Sequence, residues 1–217
     1  MGRQWLYYAF SLGDAVKDSV YLADLLLSAK KLGFSTESDL EDVELEDSTC
    51  KLDDVDLLFN YRGYNIDVAV ERLKYNNMSV RRLTLMIEDI YYREPVGRVA
   101  LAEAVEMLIG HLFSIGSHFF SYASRTDLEE HNSRCEAAYS DVLEGSAIRF
   151  VPWFGVYNRD YLEDQGGIER ILEELGGSVQ LLTNEHVVAK FCPWPWDIDE
   201  EELDEISRRL WKILNDG

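Results

Sequence analysis

From residue 55 to residue 72 the chain alternates apolar and polar side chains on either side of Arg62-Gly63. Tyr64, Ile66, Val68 and Val70 fall on one side, and Asn65, Asp67, Ala69 and Glu71 on the other. A period of two means strands with one buried and one wet face, and a two-residue turn carrying glycine closes them into an antiparallel hairpin. A second hairpin is expected near the C-terminus, with residues 178–183 and 187–192 joined around Asn184-Glu185. Strands paired this way need no crossover helix, whereas each pair in a doubly wound parallel sheet does.

The rest of the chain alternates between the two periods. Residues 5–10 read as an aromatic strand. A helix then opens at Gly13-Asp14, with Val16, Val20, Ala23, Leu26 and Leu27 inward and Gly33 at its end. Residues 81–92 read as a strand, with Leu83, Leu85 and Ile87 on one side. Residues 98–114 form a helix whose stripe is Leu101, Ala104, Val105, Leu108, Ile109 and Leu112. A strand follows at 118–124, and Thr126-Asp127-Leu128-Glu129 is a capping-box pattern for the next helix. Residues 148–157 read as a strand. A single helix from Asn158 or Asp160 runs through Ile168, Ile171, Leu172 and Leu175 to Gly176-Gly177. Asp197 caps a last helix with Leu203, Ile206, Leu210 and Ile213 inward. This order predicts an α+β fold with a mixed, largely antiparallel sheet and helices packed on it, in one domain spanning residues 1–217. A β-α-β-β unit can be drawn twice, at 4–72 and 148–192, with too little identity between the two to name a repeat.

The charge is unevenly placed. With 41 acidic and 21 basic residues among 217, the formal charge is −20. Residues 1–34 carry +1, residues 35–56 carry −9, residues 57–125 carry +1, and residues 126–217 carry −13. Residues 35–56 therefore read as an acidic, solvated loop. Such a field repels nucleic acid, and the basic pairs Lys30-Lys31, Arg81-Arg82 and Arg208-Arg209 are too isolated to overturn it. A basic protein would instead be steered inward. No apolar run reaches the roughly 20 residues that span a bilayer, and residues 1–7 lack a signal-peptide layout. Three cysteines (Cys50, Cys135 and Cys192) are odd in number and far apart, which suits a reducing cytoplasm.

Signatures of catalysis are absent from the sequence. There is no nucleophile elbow, phosphate loop or dinucleotide-binding glycine pattern, and no cofactor is implied. Asp53, Asp54 and Asp56 could form a carboxylate cluster for a divalent metal, but a solvated strand start explains them more simply. His111, His118, His131 and His186 have no ligand-like spacing, so no metal site is assigned. Residues 197–205 hold seven acids in nine positions, followed by Arg208, Arg209 and Lys212. Acids at a helix start and bases at its end complement the macrodipole, and Glu205 stands four residues before Arg209. Among the aromatic residues, Trp153, Phe154, Tyr157, Trp194 and Trp196 are core material first. Tryptophan and tyrosine beside acidic segments also serve as binding hot spots.

The block from Val151 to Leu172, VPWFGVYNRDYLEDQGGIERIL, resembles the C-terminal part of immunity proteins of bacterial polymorphic-toxin and type VI secretion systems. The families are the Imm52 family and the type VI immunity family directed at VRR-NUC nucleases. The resemblance covers about residues 148–214, with a comparable helix and aromatic strand at 98–124. Gln165-Gly166-Gly167 departs from the Leu-Gly typical there, and the 35–56 loop has no counterpart. The resemblance implies a non-catalytic protein that neutralises a cognate toxin, a nuclease or similar effector, by occluding its active site. Joined to the charge pattern, it makes Glu41, Asp42, Glu44, Glu46 and Asp47 the expected contact surface for a basic toxin, with Trp153 or Tyr157 as anchors. A haloadapted cellular protein and a metal-dependent enzyme using the carboxylate cluster are the alternatives. Oligomeric state is left open.

Overall fold

In a computed structural model, the structure describes residues 5–12, 17–36, 55–75, 78–87, 95–115, 118–124 and 128–216. The fold is α+β, as the hairpins predict. The chain divides into two compact units. One comprises Tyr8–His118; the other comprises Phe119–Gly217 together with residues 5–7. Strand β1 (Trp5–Leu12) contributes residues to each.

In the first unit, β2 (Ser35–Thr36), β3 (Val55–Tyr61), β4 (Tyr64–Tyr75) and β5 (Met78–Ile87) pair antiparallel in that order. Arg62 and Gly63 both have positive φ, at 52° and 86°. That is the turn whose twist matches a hairpin. Asn60 Oδ1 accepts the Gly63 N–H at 3.0 Å, and Asn60 Nδ2 donates to Asn65 Oδ1 at 2.8 Å. Tyr64, Ile66, Val68 and Val70 are buried, and so are Leu83, Leu85 and Ile87. Helix α1 (Asp18–Lys31) ends as expected at Gly33, φ 90°. In α2 (Pro95–Ile115) all six residues of the predicted stripe are buried.

Helix α1 differs from expectation in phase. Its buried side is Tyr21, Leu22, Leu25, Leu26 and Ala29, while Val20 and Leu27 are exposed. Apolar residues surround much of this helix, so periodicity alone admits more than one inward face; packing selects one. Arg81 lies on the same face of β5 as Leu83. It is buried, with its guanidinium 4.4 Å from the centre of the Tyr21 ring. The acidic loop lies outside the described residues at 37–54, but its two ends do not: Ser35–Thr36 forms β2, and Val55 and Asp56 belong to β3.

In the second unit, β6 (His118–Ser124), β7 (Phe154–Asn158), β9 (His186–Lys190) and β8 (Ser178–Leu181) pair antiparallel in that order. Helices α3 (Leu128–Glu144) and α6 (Glu200–Asp216) carry most of its helical structure. The predicted single helix after β7 is two short ones, α4 (Arg159–Asp164) and α5 (Ile168–Glu174). Gly166 and Gly167 both sit at φ 83°, which no continuing helix allows. Asn158 caps α4 as expected, accepting the Asp160 N–H at 2.9 Å. The cap of α6 is Asp199, not Asp197. Asp199 accepts the Glu202 N–H at 2.9 Å, and Glu202 reaches back to the Asp199 N–H at 3.4 Å. Leu203, Ser207 and Leu210 form its buried face, whereas Ile213 is exposed.

Strand β7 begins at Phe154, six residues later than expected. Gly155 allows its start to pack tightly, because a Cβ there would come within 2.8 Å of Pro152 and the Tyr157 ring. Burial raises the pKa of Tyr21 against an opposing effect of Arg81. Burial also raises that of Tyr157, with Tyr161 adding to it, and that of Tyr161, with Asp141 adding to it. Each phenol keeps its proton in the folded state at a pH where an unfolded tyrosine, with its pKa of about 10, has lost it. The folded state then holds more protons, so stability falls as pH rises through about 10. The urea midpoint is expected to be lower at about pH 11 than at about pH 9. Absorbance at the phenolate band should show these tyrosines ionising only with unfolding; full phenol titration in the folded protein would contradict this.

Candidate functional site

In the second unit an open cleft is lined by α3 and the irregular segment before β7, and α6 is tied to both of them. Helix α3 buries His131, Cys135, Ala138, Tyr139 and Val142 on one side, and turns Glu129, Glu130 and Ser133 to solvent. The same helix carries Asp141, whose buried carboxylate accepts the Arg149 N–H at 3.0 Å and the Arg149 Nε–H at 2.9 Å. Two residues on, the Val151 N–H donates to Ser207 Oγ of α6 at 2.9 Å, and that hydroxyl donates to the Leu203 carbonyl at 2.8 Å. These bonds satisfy backbone donors that a longer β7 would have used in its ladder. They also hold Phe150 between a residue tied to α3 and one tied to α6.

Arg134 joins the two helices. It forms ion pairs with Glu130, one turn back on α3, and with Asp204 of α6 at 2.6 Å. A second nitrogen lies 3.2 Å from the other Asp204 oxygen, so the pair is two-pronged. The guanidinium lies 5.7 Å from the centre of the Phe150 ring. Burial works against its charge, and the hydrogen bonds to Asp204 and Glu130 more than offset that, holding its pKa above the ordinary value. Glu129, Glu130, Ser133, Arg134 and Phe150 line a cleft of about 450 Å³. Glu129 and Glu130 at the cleft, with Asp204 beside Arg134, supply three carboxylates against that guanidinium, so the surroundings stay acidic beside a half-buried ring.

The expected contact residues Glu41, Asp42, Glu44, Glu46 and Asp47 lie outside the described residues, as do Asp53 and Asp54. Asp56 is exposed on β3, opposite Ala69. Trp153 and Tyr157, the expected anchors, are buried at 0% and 1% exposure. Trp153 packs on Phe154 and Tyr157 on Phe120, so core packing and not surface contact is the role their geometry gives them. Trp211 is exposed, and Phe150 and the stacked pair Trp194 and Trp196, whose rings lie 5.7 Å apart at 13°, are half-buried.

His131 is buried and shares a hydrogen bond with Ser124, and His186 is buried with Thr183 Oγ1 at 2.9 Å. Cys135 is buried, and the Cys192 thiol donates to the Trp194 carbonyl at 2.9 Å. Among the described residues, no group of three His, Cys, Asp or Glu side chains could hold a metal ion. No helix among them is long and apolar enough to cross a membrane. Arg134 carried a local signal that sequence reasoning passed over, its spacing of four from Glu130. Phe150, Asp204 and Ser207 carried none for these contacts, since Arg134 is 16 residues from Phe150 and 70 from Asp204, and Val151 is 56 from Ser207.

Comparison of the chain with protein-family models, with curated proteins and with solved structures finds no match in any of the three.

The cleft depends on Ser207. Ser207→Ala leaves the buried Val151 N–H without its acceptor, at a cost of about 1–3 kcal/mol. The urea midpoint should fall accordingly with an unchanged m-value; an unchanged midpoint would show that Ser207 does not hold this segment.

Proposed function

We propose that this chain is a non-catalytic, acidic protein-binding module of the immunity-protein kind, which neutralises a basic toxin by covering its active site. The observation that carries this reading is the uneven charge, −9 over residues 35–56 and −13 over residues 126–217 in a chain of −20. The cleft between α3 and Phe150 adds a place where part of that charge meets an aromatic ring. Nuclease active sites are basic because they hold phosphates, and a carboxylate surface complements them. Carboxylates around a half-buried ring suit an arginine or lysine side chain, which pairs with the acids and lies over the accessible part of the ring.

In this reading the acids Glu41, Asp42, Glu44, Glu46 and Asp47 are the main contact residues, and Glu129, Glu130 and Phe150 of the second unit are a separate place for a basic side chain. A cytoplasmic setting and a partner encoded beside this chain belong to the same proposal. The test is calorimetric titration of the chain with the C-terminal toxin domain encoded by the neighbouring gene, together with an assay of that domain's toxicity. Lysine substitution across residues 41–47 is expected to weaken binding at least about 100-fold, as loss of several paired charges would. Glu129→Lys with Glu130→Lys should weaken it further, and each change should release the toxin. Unaltered affinity in both variants would sink the proposed surface, and a neighbouring domain that does not bind the wild-type chain would sink the function.

A further inference from the structure

The outer face of α6 carries a charge order that the helix's own needs do not explain. Glu201, Glu205, Arg208 and Lys212 are all exposed. At about 100° per residue they fall within about 60° of one another, on the side opposite the buried Leu203, Ser207 and Leu210, and they run about 16 Å along the axis. Acids in the first half suit the helix dipole. The bases do not, because the last turn of α6 contains none and they stand in mid-helix. Ion pairing among the described residues does not use them either. Asp204 is taken by Arg134, Glu202 serves the cap, and Arg208 Nε donates only to the Asp204 carbonyl, at 3.2 Å. Among the described residues, Glu201, Glu205, Arg209 and Lys212 make no ion pair, including the Glu205–Arg209 pair that their spacing suggested.

Read along the helix, the stripe is acid, acid, base, base. Reversed end for end it is its own complement. We propose that this face is the contact between two copies of the chain, with their α6 helices antiparallel about a two-fold axis midway between Glu205 and Arg208. Two-fold symmetry makes each contact occur twice. Glu201 then meets Lys212 of the second copy, Glu205 meets Arg208, and the reciprocal pairs follow. Trp211 and Ile213, 42% and 45% exposed, stand on either side of the stripe and supply apolar margins for the contact. The order of charges selects a second copy over an unrelated acidic or basic partner, since either of those would match one half of the stripe and repel the other. The repulsion between two chains of −20 is confined by salt to roughly 8 Å at physiological ionic strength, whereas the paired groups act at contact. This contact does not rest on the toxin-binding reading.

Sedimentation equilibrium over a concentration series into the millimolar range, at physiological ionic strength, tests it. The wild-type chain should move from 25.0 kDa toward twice that mass. Arg208→Glu with Lys212→Glu makes the stripe wholly acidic, and Glu201→Lys with Glu205→Lys makes it wholly basic. Each variant alone should stay monomeric with an unchanged circular dichroism spectrum, and an equimolar mixture of the two should recover the doubled mass. Should either variant lose its spectrum, Arg208→Gln with Lys212→Gln replaces it and should likewise be monomeric. A wild-type chain that stays monomeric throughout, self-association undiminished in the variants, or a mixture that fails to associate would each overturn the proposal.

Discussion

The buried carboxylate of Asp141 receives both the backbone and the side chain of Arg149, and much of the second unit's arrangement follows from that contact. A carboxylate taken out of water needs its acceptor sites filled. Here they are filled by the segment that leads into β7. With Arg149 tied to α3 and Val151 tied to Ser207 of α6, the chain between them cannot join a ladder, and β7 starts only at Phe154. Phe150 is left between two helices, beside the Arg134 that bridges them. A strand running straight through residues 148–153 would alternate its side chains across a sheet and leave no such cleft.

Charge in this protein works at two scales. At short range it is structural: Arg134 with Glu130 and Asp204, Arg149 with Asp141, and Arg82 with Glu71 fasten elements together. At longer range it is a surplus. The basic residues of the second unit that are drawn into pairs leave many carboxylates facing water, and the surplus sets what can approach. Helix α6 combines both scales on one element. Its inward side is fixed by Leu203, Ser207 and Leu210, one flank holds Asp204 for Arg134, and the outer stripe leaves its charges exposed.

Some features were legible from the sequence because they obey local rules. The Arg62-Gly63 hairpin and the buried stripe of α2 are examples, since turn geometry and periodicity are properties of neighbouring residues. Helix α1 ends at the expected glycine but starts at Asp18 and not at Gly13-Asp14, and it is rotated, because its apolar residues allow several inward faces. The break between α4 and α5 was visible as Gly166-Gly167, yet the apolar spacing across it outweighed that signal. The cleft was hardly legible at all. Arg134 and Asp204 are 70 residues apart, and Val151 and Ser207 are 56 apart.

The sequence by itself determined an α+β chain with antiparallel hairpins, an acidic surplus and its uneven distribution, because composition and short-range periodicity suffice for these. Tertiary structure alone decided that Trp153 and Tyr157 belong to the core, that Phe150 borders a cleft, and which acids of α6 are spent on internal pairs. The reason is that burial and ion pairing depend on which distant segments meet. A tryptophan on a strand or a carboxylate on a helix has the same local signal whether it faces protein or water.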